Sequence, residues 1–248
     1  WRELLDYVID YAWEFDDEEN RVVDLSTLPE PGPQDMLVND LIERGQHTSI
    51  YGEGGASKSY LGLSIAISVA SSKTIIPGLY PTGEPGSVLY MDFESSQDDH
   101  RRRMGQICKG ADIEMPPLDY NRSSLPLYEK IEWLRERVVT NQIDLVVIDS
   151  IGVASGGDVG ETATGLNFMR TIRSIRSAVL SITHKPHEAD RMIGSVYFIN
   201  GPRYVFGLTK DDEIRAGDLP ITLKHEKANN SNLFPQKTFQ MLFEGDRV

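Results

Sequence analysis

The sequence predicts an α/β fold: a mainly parallel central sheet flanked by helices, with an antiparallel extension at its C-terminal side. Three observations carry that prediction. Apolar runs of strand length, such as Val88 to Phe93 and Leu145 to Ile148, alternate with stretches of helical periodicity, the rhythm of strand–helix–strand units in a parallel sheet. Several of these runs close on polar or charged residues, as strands do where a ligand binds beyond their carboxyl ends. The last runs, Pro202 to Thr209, Ile221 to His225 and Thr238 to Phe243, come as strands joined by turns and polar loops, which reads as an antiparallel addition to the sheet.

With 248 residues the chain has room for one large domain and a modest appendage. Trp1, Leu4, Leu5, Val8, Ala12 and Phe15 fall at three- and four-residue steps, which is one face of an amphipathic helix. That face packs either on the chain's own core or on a neighbouring subunit. The acidic run Asp16 to Glu19 ends the helix, and Ser26 to Gln34, with three prolines, reads as a linker. The predicted division is therefore 1–34 for helix and linker and 35–248 for the main domain.

Composition narrows the class. Apolar residues make up 40% and charged residues 25%, enough for a sizeable core and inconsistent with global disorder. A net charge of −13 argues against a surface coated in bases for nucleic acid, while leaving room for a basic channel inside an assembly. A single cysteine, Cys108, excludes an internal disulfide framework and fits a reducing cytoplasm. No run approaches the length of a membrane span, and the first residues lack the basic and apolar regions of a signal peptide. A cytoplasmic protein with no membrane partner is expected.

The chemistry begins between Gln46 and Ile67, which reads QHTSIYGEGGASKSYLGLSIAI. A β-branched run, a turn of small residues and an apolar helical pattern follow one another, the order of a P-loop nucleotide site. A phosphate can be cradled only where several N–H groups turn inward together and no Cβ blocks its approach. Gly52, Gly54 and Gly55 supply that freedom, and Ala56, Ser57, Lys58, Ser59 and Tyr60 complete the candidate nucleotide-binding set. Lys58 is expected to bridge the β- and γ-phosphates of ATP and Ser59 to ligate Mg²⁺. Ser57 stands where the pattern G-x-x-x-x-G-K-[ST] has glycine; a serine in right-handed helical geometry is sterically acceptable there, and that geometry is the expectation.

Further along, Val88 to Glu94 is a strand ending on acids, which puts Glu94 in the ligand crevice as candidate base. Gln97 to Lys109 is a helix whose Arg101, Arg102 and Arg103 read as a solvated face. A strand at 118–122 and a helix from Leu127 to Asn141 lead into Asp144 to Ser150, LVVID within it. That run resembles a Walker B strand, placing the Asp149 carboxylate beside the nucleotide's Mg²⁺. A loop from Gly152 to Glu161 precedes a helix from Thr162 to Arg176, with Arg170, Arg173 and Arg176 at three-residue spacing. The strand Ala178 to Thr183 then delivers His184 into the crevice of Lys58, Glu94 and Asp149, where it can bond a γ-phosphate.

With these residues in place, the chain resembles the RecA-like ATPases of the hexameric plasmid helicase RepA type, a group that includes phage and plasmid primase-helicase ATPase domains. The resemblance covers roughly residues 35–230 and rests on GEGGASKSYLGL, VLYMDFESSQDDHRRRM, LVVIDSIG with GGDVGETATGLNFMRTIR, SAVLSITHKP, GSVYFINGPR and KHEKANN in that order. It implies that Lys58 and Ser59 serve phosphate and Mg²⁺ and that Glu94 polarises the attacking water. Asp149 would hold the metal through its hydration shell, and His184 would sense the γ-phosphate. It further implies that Arg203 is an arginine finger for the nucleotide of an adjacent subunit, and that Lys227 can approach the same neighbour's phosphates. The function implied is Mg-dependent ATP hydrolysis by a ring, most simply a hexamer, moving on single-stranded DNA. The loops at 152–162 and 185–193, where DNA would be gripped, hold no aromatic stacking platform. An ATP-binding switch or assembly module that moves no DNA is the alternative.

Overall fold

A computed structural model describes residues 22–185, 194–210, 218–229 and 232–248. The chain divides into two compact units, Trp1–Gln34 and Asp35–Val248. In the first, the described residues form a 3₁₀ turn, Leu25–Thr27, whose preceding Asp24 accepts from the Ser26 amide. The predicted helix over residues 1–16 lies outside the described residues.

The second unit is built on an eight-stranded sheet. Its strands in chain order are β3 (His47–Gly52), β4 (Ser87–Asp92), β5 (Asp119–Arg122), β6 (Ile143–Asp149), β7 (Ala178–His184), β8 (Tyr204–Lys210), β9 (Asp218–Ala228) and β10 (Lys237–Leu242). A small hairpin, β1 (Met36–Val38) and β2 (Ile42–Glu43), precedes them. The spatial order is β10-β9-β8-β3-β7-β6-β4-β5. Pairing is parallel from β8 through β3, β7, β6 and β4 to β5, and antiparallel where β9 and β10 are added. The expected parallel sheet with an antiparallel extension is therefore the fold.

The helices are α1 (Lys58–Ser71), α2 (Gln97–Gly110), α3 (Ile131–Thr140), α4 (Ile151–Ala154), α5 (Thr162–Arg173) and α6 (Val196–Asn200). Because side chains alternate across a strand, the apolar strands feed two cores. Leu145 and Val147 join Leu61 and Ile65 of α1 and Ile107 of α2 on one face. Val146 and Ile148 join Leu134 and Val138 of α3 and Phe168 of α5 on the other. A sheet covered on both faces needs continuously apolar central strands, and β6 is buried at six of its seven positions.

Two elements depart from the expected boundaries for local reasons. The helix expected from Leu127 opens as a 3₁₀ turn over Leu127–Lys130, and Lys130, with φ −109° and ψ 5°, interrupts it before α3. The helix expected to reach Arg176 stops at Arg173, where the Ser174 hydroxyl donates to the Thr171 carbonyl and competes with the helical ladder. The β1–β2 hairpin was not expected. Its turn residue Asp40 has φ 59°, a conformation that aspartate tolerates better than most side chains.

Candidate functional site

The carboxyl ends of β3, β4, β6 and β7 open on a cavity of about 240 Å³ lined by Gly55, Ser57, Lys58, Ser59, Tyr60, Glu94, Arg103, Asp149 and His184. The sheet order explains the convergence, since β3, β7, β6 and β4 are consecutive neighbours. Lys58, Ser59, Glu94, Asp149 and His184 are thus brought together as expected.

Inside the loop, two expectations change. Ser57 is left-handed, with φ 57° and ψ 30°, and the right-handed geometry expected for it is incorrect. The turn that delivers Lys58 demands positive φ at this position, which explains why glycine suits it and why serine is strained by about 1 kcal/mol or more. Gly52 lacks a Cβ for a reason other than phosphate access: a Cβ there would stand 2.5 Å from the Leu208 carbonyl oxygen of β8. Gly55, with φ +74°, and Gly54 face open space, where an added Cβ would meet nothing within 4 Å. Ala56 is fully buried, and its amide donates to the Glu53 carbonyl at 3.3 Å. Its side chain belongs to the core.

The Lys58 ammonium is occupied by the loop itself. It donates to the carbonyls of Gly52 at 2.9 Å and Glu53 at 2.7 Å and lies 3.3 Å from His184 Nδ1. A donor facing Nδ1 leaves the imidazole proton on Nε2, which lies 3.5 Å from Glu94 Oε2. Glu94 also accepts from the Ser150 hydroxyl. The His184 contact, helped by Ser150 and Lys58, holds the Glu94 carboxyl below its usual range against the opposing effect of burial. Burial lowers the Lys58 pKa, with Asp149, Glu94 and Glu53 working in the other direction. Asp149, 4% exposed, is pushed up by burial while bonds from Ser59 and Tyr90 hold it down.

A second tier aims these groups. Tyr90 donates to Asp149 Oδ2 at 2.7 Å. Asp92, 1% exposed, accepts the amides of Glu94 and Ser95, each at 2.9 Å, and so fixes the turn that carries Glu94. Tyr120 donates to the other Asp92 oxygen at 2.6 Å, and His100 Nδ1 lies 3.3 Å from it. Arg103 corrects the reading of Arg101 to Arg103 as one solvated face: its guanidinium lies 5.5 Å from the Tyr60 ring centroid and lines the cavity. The signal for it was available, because His100, Arg103 and Ile107 fall on one stripe of α2. The bonds of Asp92, Tyr90 and Ser150 had no such signal, since they join strands that are distant in sequence.

The donor set fits a Mg-nucleotide. α1 begins at Lys58 with no side-chain cap and no acid in its first turn, so its unpaired N–H groups face the loop for an anion. Ser59 and Asp149 line the same cavity, an alcohol and a carboxylate suited to a hard cation.

Arg203 and Lys227 are not in this cavity. The Arg203 amide donates to the His47 carbonyl at 2.8 Å and its Nε to Gln46 Oε1 at 3.3 Å. Lys227 donates to the Asn200 carbonyl at 3.0 Å and to the Pro202 carbonyl. Both therefore sit at the amino end of β3, whose carboxyl end carries Gly52. At about 3.3 Å per residue, the length of the strand puts roughly 17 Å between the two edges. Of the loop at 185–193, residues 186–193 lie outside the described residues.

A family model described as an AAA domain matches residues 15–190, more than two thirds of the chain. No curated protein matches it.

Proposed function

The chain belongs to the AAA-domain family of P-loop ATPases, and from that premise we propose that it is the motor domain of a ring-shaped replicative DNA helicase or primase-helicase. The observation that carries the reading is the separation of the two edges. Arg203 and Lys227 share one edge of the sheet with His47, while Lys58, Glu94 and Asp149 share the other. An arginine that distant from its own chain's phosphate loop acts on a nucleotide only if a second copy presents one, and head-to-tail repetition of that contact builds a ring where its rotation closes and a filament where it does not.

ATP with Mg²⁺ supplies the transferable phosphoryl group and the metal's charge neutralisation. The chain's residues do the positioning. Lys58 would exchange the Gly52 and Glu53 carbonyls for phosphate oxygens, and Ser59, with Asp149 through the hydration shell, would hold the cation. Glu94, kept ionised by His184 and Ser150, orients the attacking water by accepting its hydrogen. His184, between Lys58 and Glu94, registers whether Lys58 is on the loop or on phosphate. Arg203 from the neighbour places positive charge where the transition state spreads negative charge.

Strand displacement on a tailed duplex tests the reading, together with the assembly mass with and without ATP. The expected results are ATP-dependent rings, ATPase stimulated by single-stranded DNA, and strand separation. Normal hydrolysis by Arg203→Ala under assembling conditions would remove the trans-acting finger. The net charge of −13 and the absence of aromatics from residues 152–162 and 185–193 favour a second reading, an ATP-driven switch or assembly module. Robust ATPase without strand separation or stimulation by single-stranded DNA would select it.

A further inference from the structure

A cavity of about 400 Å³ opens at the amino edge of the sheet, lined among others by Gln46, His47, Arg173, Ser177, Arg203 and Asn229. Among the described residues no carboxylate lines it, although the chain carries 38 acids against 25 bases. Arg173 and Arg203 line the cavity beside His47, and Lys227 lies near its edge. Arg173, exposed in the last turn of α5, and Lys227 both act electrostatically on its ring, and Arg203 acts on Lys227. His47 is 8% exposed, its Nε2 is 2.7 Å from the Ser181 hydroxyl, and its Nδ1 has no partner among the described residues. Lys227 spends two N–H groups on the Asn200 and Pro202 carbonyls, which leaves a third. Two arginines lining one cavity with no opposing carboxylate describe a site that is completed by an external oxyanion.

We infer that this cavity is a phosphate cradle for a nucleotide held by a second copy of the chain, and that Arg173 is a cation of the cradle beside Arg203. The inference rests on the ring reading above and adds a residue to it. Arg203 is restrained by Gln46 and presents a fixed guanidinium face. Arg173 approaches from a different element, the end of α5, so the two forks reach a phosphate from two directions. An arginine pair from separate elements recognises a tetrahedral oxyanion more selectively than one flexible charge.

Mixed assemblies test this. Arg173→Ala alone is expected to lower ATP turnover under assembling conditions on the order of 10²-fold, with binding of a fluorescent ATP analogue at its own loop unchanged and Arg173→Lys recovering part of the loss. Arg173→Gln, which keeps the apolar stem and a polar tip but removes the charge, serves if the alanine variant is poorly folded. The informative step is to mix Arg173→Ala subunits, strongly impaired alone, with Lys58→Ala subunits, inactive alone. Activity returns if the intact Arg173 of one copy serves the intact loop of the other. The Arg203→Ala and Lys58→Ala mixture is the reference. Rescue of Arg203→Ala but not of Arg173→Ala overturns the role of Arg173 and leaves the ring reading standing; rescue of neither overturns both. Inorganic phosphate titrated into dilute, unassembled Lys58→Ala protein separates the two sources of oxyanion: saturable binding abolished by Arg173→Ala would make this a free-phosphate site and overturn the second-copy assignment.

Discussion

The two ends of the central strands differ in how their charge is balanced. At the carboxyl edge, Lys58 and Arg103 face Glu94 and Asp149 across one cavity, and Lys58 has every N–H committed within its own chain. At the amino edge, Arg173, Arg203 and Lys227 gather around a neutral histidine, with no carboxylate among the described lining residues. The first edge is nearly self-neutralised and folds around its own ions; the second holds surplus positive charge. The difference teaches that each edge is chemically incomplete in a complementary way, since a bound triphosphate would overload the first with negative charge and the second carries the means to offset it.

The largest break in this comparison comes from removing one edge's function while leaving the other intact. Arg203→Ala is expected to reduce ATP turnover by about 10³-fold or more under assembling conditions while ATP binding persists. Lys58→Ala is expected to abolish ATP binding and turnover together. Steady-state ATPase with a separate equilibrium binding measurement distinguishes the two patterns.

A smaller effect sharpens the amino edge alone. Burial, with Lys227 and Arg173, holds His47 down to about 3 from its ordinary 6.5. The folded pKa is therefore depressed, and the unfolded chain takes up a proton at a pH where the folded one does not. Stability is fully present above pH 6.5 and falls as pH drops from there toward 3, by at most about 1.4 kcal/mol per pH unit for this one group. Urea unfolding between pH 7 and pH 5 reads the slope, and His47→Gln is expected to flatten it.

At the carboxyl edge, Tyr90→Phe removes the bond to buried Asp149 and is expected to cost about 1–3 kcal/mol of stability. Weaker Mg²⁺ dependence of ATPase should accompany it. The smallest effect belongs to the loop: Ser57→Gly relieves a left-handed serine and is expected to raise stability by about 1 kcal/mol or less, because glycine gives back part of the gain as unfolded-chain entropy. Calorimetric melting of the two proteins checks it.

What the sequence disclosed follows the range of the interactions involved. The loop, Glu94, Asp149 and His184 each close a strand and carry their own local signature, so their convergence followed once the parallel order was inferred. Ser57 was read correctly as the odd residue and incorrectly in conformation, because a side-chain type does not specify its own φ. Arg103 was hidden by its neighbours Arg101 and Arg102, three like charges in a row whose division depends on the helical phase of α2. Asp92 and Tyr90 were passed over as strand residues, since their roles depend on the β4–β6 and β4–β5 registers. Arg203 came from resemblance alone; nothing local distinguishes it from any other arginine that precedes a strand.

β3 is hydrogen-bonded along its length to β7 on one side and β8 on the other. A strand clamped on both flanks neither stretches nor bends at low energy, so it behaves as a strut. When Lys58 leaves the Gly52 carbonyl for a ligand, any lengthwise push on that end travels through the strut to His47 and the Arg203 amide bonded to its carbonyl. In a head-to-tail assembly these struts stand in series, one per subunit, so the stroke at one nucleotide would become a shift of the cations offered to the next.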